Sequence, residues 1–308
     1  MAARYPALTA VAIGFLSATG FAPLGLWPVT LLCMAALLWF AERTNTRKQA
    51  FLLGWCFGLG HFTLGNNWIA HAFVYQDAMP HWLGYFAVAA LSLYLAVWPG
   101  LATLGFQMAR ARWPGLAATP LFGALWILTE YGRATLFTGF AWDPLGMIWL
   151  GTGLDQASRF IGTYGLSALA IFASGALLSI GRRQWRAGTP IVAALLAIGA
   201  WGWVRADHVR MNNESGAVAR VTIVQPNINQ NEKYDAALEQ VNFVKLAELT
   251  GPSSPDNPRL IFWPEAALPA WLDMEPEWLE RVAALEGPND LLMTGGAKVY
   301  FREKDKGF

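Results

Sequence analysis

The residue best placed to do chemistry in this sequence is Glu265. It follows Arg259-Leu260-Ile261-Phe262-Trp263-Pro264, an apolar, β-prone run that stops at a proline. The proline fixes the backbone and ends the hydrogen-bond ladder where the carboxylate emerges. A strand tip that presents a Glu suits acid–base chemistry. An exposed or helix-capping carboxylate fits the same spacing, so position alone leaves both readings open. Gln225 and Asn227 stand in the same relation to an earlier β-branched run, 219–225, bounded by Pro226. Ligands of open α/β sheets gather beyond the carboxyl ends of the strands.

The elements that must position these side chains alternate in type. The strand at 219–225 precedes a helical spacing of apolar positions over 232–249 (Leu238, Val241, Val244, Leu246), which Gly251-Pro252-Ser253-Ser254-Pro255 breaks. A second strand at 259–263, a helix at about 276–286 and a third strand at 290–295 follow. Strands alternating with helices indicate an α/β layered domain. Leu260-Ile261-Phe262-Trp263 reads as a buried parallel strand, a short continuous apolar run. Residues 219–308 suffice for the first three strands of a larger sheet, and 207–218 reads as a polar linker.

The residues before 207 have a different character. Of 308 residues, 55% are hydrophobic and 14% charged, and the mean hydropathy is +0.33. Soluble globular chains carry about 25% charged residues, so this composition is that of a membrane protein. Sixteen tryptophans fit rings that sit at headgroup level. A net charge of +1 gives no reason to expect nucleic acid. Cys33 and Cys56 both lie in apolar runs and build neither a disulfide framework nor a metal site. They read as small buried apolar residues.

Seven apolar segments fall at about 7–24, 27–41, 50–75, 83–108, 116–131, 159–180 and 189–204. They predict a bundle of about seven transmembrane helices over 1–206. A span needs about 20 residues, so the second is short, and the first two suit a tight hairpin around Pro23-Leu24-Gly25-Leu26-Trp27-Pro28. The first could alternatively be a signal peptide, with Arg4 ahead of it and Ser17-Ala18-Thr19 near a cleavage site; a second apolar segment following at once disfavours that. Alternate connections carry nine basic residues (Arg4, Arg43, Arg47, Lys48, Arg110, Arg112, Arg182, Arg183 and Arg186) against Arg133 alone on the other side, where Asp77, Asp143 and Asp155 lie. The positive-inside rule then predicts a cytoplasmic N-terminus. Seven spans put everything after Val204 outside, in the periplasm of a Gram-negative cell.

Polar residues within the spans each have a bland reading. Gly54 and Gly58, with Gly65, Asn66 and Asn67, fit close helix packing and interhelical hydrogen bonds; substrate contact is the alternative. His61 reads as a packed, hydrogen-bonded residue in preference to a ligand or relay. Glu130 and Arg133, at i,i+3, can pair on one helix face, while their depth in the membrane makes a lipid-headgroup contact the sharper alternative. No row of charged residues recurs across the spans, which counts against an ion-coupled transporter.

Specific motifs then match a known family. Val224-Gln225-Pro226-Asn227-Ile228, Gln230, Lys233-Tyr234, Ile261-Phe262-Trp263-Pro264-Glu265-Ala266-Ala267-Leu268-Pro269 and Leu292-Met293-Thr294-Gly295-Gly296 resemble the opening of a nitrilase-superfamily domain, an α-β-β-α sandwich. More narrowly they resemble the apolipoprotein N-acyltransferases. Phe21-Ala22-Pro23, Trp27-Pro28, Glu130 with Arg133, Thr138-Gly139-Phe140-Ala141-Trp142 and Gly162-Thr163-Tyr164-Gly165 also have counterparts there, so the resemblance covers essentially the whole chain. Ala141 stands where the family tends to have proline, and Tyr234 where Trp is frequent.

The resemblance implies a Glu-Lys-Cys set and ping-pong acyl transfer from a membrane phospholipid, through a Cys thioester, to the N-terminal amine of a diacylglyceryl-cysteine lipoprotein. It maps Glu265 onto the catalytic Glu. It also makes Gln225, Asn227, Tyr234, Trp263, Glu130 and Arg133 candidate substrate contacts. No cofactor or metal is implied, and a monomer is expected. The Lys and Cys have no match: Lys298, Lys304 and Lys306 lie too early, and Cys33 and Cys56 in the wrong domain. The 308 residues therefore read as a C-terminally truncated member, inactive by itself. A membrane-tethered nitrilase-type amidase and a non-catalytic membrane scaffold or transporter are the alternative readings.

Overall fold

The computed structural model describes residues 6–75, 79–115, 117–213, 220–233, 235–255, 258–265, 268 and 274–296. The chain divides into two compact units, Met1–Arg210 and Met211–Phe308.

The first unit is helical. Its helices are α1 (Pro6–Ala18), α2 (Trp27–Ala41), α3 (Arg47–Gly65), α4 (Leu83–Leu95), α5 (Val97–Arg112), α6 (Ala118–Thr135), α7 (Ser158–Gly181) and α8 (Trp185–Asn213). Among the described residues, three helical stretches are long and apolar enough to cross a membrane: Leu83–Arg112, Leu154–Gly181 and Trp185–Ala206. Ala7–Ala18 and Trp27–Ala41 are shorter apolar helices. The expected seven spans are thus seven helical stretches, of which three have spanning length and composition. α3 begins with Arg47 and Lys48 and ends early. It stops at Gly65-Asn66-Asn67, where both the Asn66 backbone amide and its side-chain amide donate to the Phe62 carbonyl, at 3.0 and 3.2 Å. The chain continues as a 3-10 turn, Asn67–Tyr75.

Small residues set the packing. A Cβ on Gly54 would lie 2.2 Å from the Pro99 carbonyl oxygen, and one on Gly58 would lie 2.8 Å from Ala96 Cα. Backbones of α3 and α5 therefore touch, as small-xxx-small pairs allow. Thr103 Oγ1 adds an interhelical hydrogen bond to the Ala50 carbonyl at 2.7 Å. Phe57, Phe106, Phe122, Met34 and Leu37 fill the centre. The α2 and α7 ends are joined by an Arg182–Glu42 ion pair.

α8 runs on through residues 207–213, the start of the expected polar linker. No glycine or proline stands between Pro190 and Gly216 apart from Gly199 and Gly202, so an established helix propagates through polar residues at little cost. The rest of that linker lies outside the described residues.

The second unit carries three parallel strands, β1 (Arg220–Ile223), β2 (Arg259–Phe262) and β3 (Leu291–Met293), in the order β1-β2-β3. Val221, Leu260 and Leu291 share one register row; Ile223, Phe262 and Met293 share another. α9 (Gln230–Lys233) and α10 (Glu239–Thr250) follow β1, and α11 (Pro276–Ala283) follows β2. Phe243 and Leu246 of α10 and Trp278 and Val282 of α11 pack with Ile261 and Trp263 on one face of the sheet. A shielded ion pair, Arg259 to Asp290 at 3.0 Å, ties β2 to the start of β3. The opposite face is apolar, and among the described residues no helix covers it. Exposure there reaches 78% at Ile223 and 52% at Met293.

Candidate functional site

Parallel pairing puts the carboxyl ends of all three strands at one edge, which is what the candidate residues need. Beyond β2 the ladder continues through Trp263, whose amide donates to the Met293 carbonyl at 2.9 Å, and stops at Pro264. Glu265 comes next and is exposed. Beyond β1, Val224 still donates to the Phe262 carbonyl at 2.9 Å. Gln225 and Asn227 then follow, both exposed at the same edge. Asn227 has φ +50°, the left-handed region that Asn adopts more readily than most residues. The chain therefore turns sharply after Pro226, and Gln225, Asn227 and Glu265 are exposed at this edge.

Lys233, part of the Lys233-Tyr234 motif, has no role that its sequence position assigns. It lies at the end of α9, and its Nζ approaches the Glu265 carbonyl oxygen at 3.5 Å. The motif spacing was its only signal. Trp263 sits differently from the exposed candidates. Its ring is buried against Phe243, and its indole Nε1 donates to Thr250 Oγ1 at 2.9 Å. It anchors the strand that carries Glu265 from within the core and does not face the open edge. Tyr234 lies outside the described residues.

Glu130 and Arg133 belong to the helical unit and are both buried. The expected i,i+3 ion pair is absent among the described contacts. Each instead grips the loop that follows α6. Glu130 Oε1 accepts from the Leu145 amide at 2.7 Å. The Arg133 guanidinium donates to the Trp142 and Asp143 carbonyls, and its own carbonyl accepts from the Phe140 amide. The loop needs this restraint because Phe137 and Asp143 both hold positive φ, +57° and +54°. Ser167 Oγ of α7 accepts from the Gly146 amide at 2.8 Å. These hydrogen bonds go to the protein's own backbone, and the Arg133 guanidinium also lies over the Phe62 ring, 5.1 Å from its centroid.

His61 is packed and hydrogen-bonded as expected, with its Nδ1 2.7 Å from Ser17 Oγ and its ring stacked on Phe57.

A family model for the apolipoprotein N-acyltransferase N-terminal domain matches residues 13–176. Curated relatives with the name apolipoprotein N-acyltransferase align over nearly the whole chain. The protein from Allorhizobium ampelinum is 31% identical over 98% of this chain and 58% of its own length. That from Caulobacter vibrioides is 33% identical over 94% and 56%. That from Geobacter metallireducens is 32% identical over 90% and 54%.

The chain belongs to the apolipoprotein N-acyltransferase family. It spans little more than half the length of these relatives. The region matched by the N-terminal-domain model ends within α7 and includes Glu130, Arg133 and the loop they hold. The whole-chain alignments carry the family relation on into the unit with Glu265. A membrane protein of this family needs apolar surface, and the helical unit has it. An apolar cavity of about 690 Å³ opens between α2, α7 and α8, with Trp27, Leu31, Trp149, Leu177, Leu196 and Trp203 among its walls. Cys33 and Cys56 are buried in the same unit.

Proposed function

We propose that this chain is part of an enzyme that N-acylates lipoproteins, and that Glu265 is its catalytic base. The observation that carries the proposal is the exposed carboxylate at the carboxyl edge of a parallel sheet, in a chain of the apolipoprotein N-acyltransferase family. In this reading residues 1–206 are the membrane bundle, and 219–308 open a nitrilase-like α-β-β-α domain. The bare apolar face of the β1-β2-β3 sheet supports a sandwich, since parallel sheets are covered on both faces. The loop charges support a cytoplasmic N-terminus and a periplasmic site in the inner membrane.

The chemistry proceeds by covalent catalysis, so two bulky lipid substrates need never be bound together. Glu265 removes the proton of a cysteine thiol. The thiolate attacks an acyl ester of a phospholipid; the C–S bond forms, the C–O bond breaks, and a lysophospholipid leaves with a proton. The amine of a diacylglyceryl-cysteine then attacks the thioester. The C–N bond forms, the C–S bond breaks, and Glu265 passes the amine's proton toward the returning thiol. A lysine steadies the oxyanion of each tetrahedral intermediate. Gln225 and Asn227 line the edge where the acyl carbonyl must sit, and Trp263 fixes the strand beneath. No cofactor takes part. Of the Glu-Lys-Cys set these 308 residues carry the Glu alone, so the 308-residue polypeptide by itself should form no thioester.

The test is made on the complete gene product in phospholipid vesicles, with acyl-enzyme detected by intact-mass spectrometry. Glu265→Gln should abolish the acyl adduct while the protein stays folded. An adduct retained at the unmutated level overturns the assignment of Glu265.

A further inference from the structure

The buried cluster around Glu130 contains polar atoms that the loop clamp leaves unused. Glu130 Oε2, Asp143 Oδ2, Trp98 Nε1 and Trp126 Nε1 are all shielded from solvent and make no hydrogen bond of ordinary geometry among the described residues, although the Trp126 indole and the Ser167 hydroxyl lie close to the Glu130 carboxylate. Glu130, Trp98 and Trp126 are each more than nine-tenths buried. All four residues line one small cavity, beside His61 and Arg133. Buried polar groups are nearly always satisfied, so four orphans around one void call for a guest.

The void and its walls define that guest. Its volume is about 20 Å³, and a single water needs about 10–15 Å³. A lipid headgroup does not fit. The two carboxylate oxygens accept hydrogen bonds and the two indole N–H groups donate them. A guest must therefore give two and take two, which is the full capacity of one water molecule. A metal cation would meet the carboxylates but also the positive ends of two N–H dipoles and the neighbouring Arg133 guanidinium. A dry cavity would leave all four groups unpaired.

We propose that this cavity holds one ordered water, which accepts from Trp98 and Trp126 and donates to Glu130 and Asp143. The water joins α5, α6 and the loop after α6 at a point where protein atoms alone do not meet. Glu130 thereby holds the loop twice, through Oε1 to the Leu145 amide and through Oε2 and water to Asp143. The Asp143 carboxylate lies close against Gly65 at the end of α3, where a Cβ would come within 2.9 Å of its Oδ2. The proposal stands apart from the acyl-transfer reading and survives if that reading fails.

The complete protein in lipid nanodiscs, with a rigid antibody fragment for alignment, gives the map that tests this. A peak within hydrogen-bond distance of the four atoms is the expected result. In Trp98→Phe, which keeps the ring and removes one donor, the peak should vanish. Hydrogen–deuterium exchange at the Leu145 and Gly146 amides should then accelerate about three- to tenfold, the effect of losing one ordinary hydrogen bond. A map that shows other interior waters but an empty or collapsed cavity overturns the site. A peak at metal–oxygen distances, strengthened by added manganese, overturns water as the guest. Unchanged amide exchange in Trp98→Phe overturns the bracing role.

Discussion

Two glutamates divide the chemistry of this chain between them. Glu130 is buried in the helical unit, one oxygen bonded to a loop amide and the other facing a polar void. Glu265 is exposed at a strand end, and the described contact at that residue is made by its backbone carbonyl, with Lys233. Their sequence surroundings are alike: each has a tryptophan within four residues and a basic residue nearby. Environment separates them. A carboxylate engaged by its own protein's backbone is a fastener, whereas one left open at the convergent edge of a parallel sheet is free to handle a substrate's protons.

The comparison breaks first if Arg133 proves dispensable. Arg133→Met removes a guanidinium that donates to the Trp142 and Asp143 carbonyls. It also leaves the buried Glu130 and the half-buried Asp143 without their neighbouring cation. The loss should be about 3 kcal/mol or more, read as a fall in the thermal midpoint of the purified protein in detergent. An unchanged midpoint would mean that the cluster is not a fastener.

Trp263→Phe probes the other region, where a side chain near the open edge is itself structural. The change deletes the bond from the indole to Thr250 and shrinks a ring packed on Phe243. A loss of about 1–3 kcal/mol is expected, measured by denaturant unfolding followed through the remaining tryptophans. A neutral substitution would place Trp263 among the substrate contacts instead.

Acid should act on the second unit through Asp290, with a smaller effect. Burial raises the pKa of this carboxyl, but hydrogen bonds from the Gly287 and Arg259 amides and from the Arg259 side chain outweigh it and hold it below the usual range. The unfolded carboxyl, near 3.9, takes up its proton first. Its contribution is therefore whole above that pH and is lost as pH falls through the lower folded value. Asp290→Asn should flatten the acid limb of the stability profile; a limb of unchanged slope would assign acid sensitivity to other groups.

Much of this was legible in the sequence because it depends on local pattern. The three strands and the α10 and α11 helices follow from β-branched runs, apolar spacing and Gly/Pro breaks, and they lie close to the predicted ranges. The open positions of Gln225, Asn227 and Glu265 follow from proline-terminated strands. Other features depend on contacts that spacing does not encode. The i,i+3 rule placed Glu130 and Arg133 on one face but could not show that a loop returning over that face would draw both to its backbone. Hydropathy marked 50–75 as one span, yet the helix is capped at Asn66 and the chain goes on as a 3-10 stretch from Asn67 to Tyr75. Trp263 reads as part of a strand tip, and only the packing of α10 shows that its ring turns inward.

The finest test of the comparison is Glu265 itself. An exposed carboxylate with no side-chain bond among the described residues should be replaceable without structural penalty, so Glu265→Gln should change stability by no more than about 0.5 kcal/mol. Proton transfer is a different matter, because the amide has nearly the same shape but cannot accept a proton. The same substitution in the complete protein should therefore remove the acyl adduct while leaving the unfolding curve where it was. Glu130→Gln should do the reverse in kind, shifting the unfolding curve through the amide that replaces the bonded carboxylate. If Glu265→Gln instead lowers stability as Arg133→Met does, the strand-end carboxylate is a fastener too, and the distinction between the two glutamates is lost.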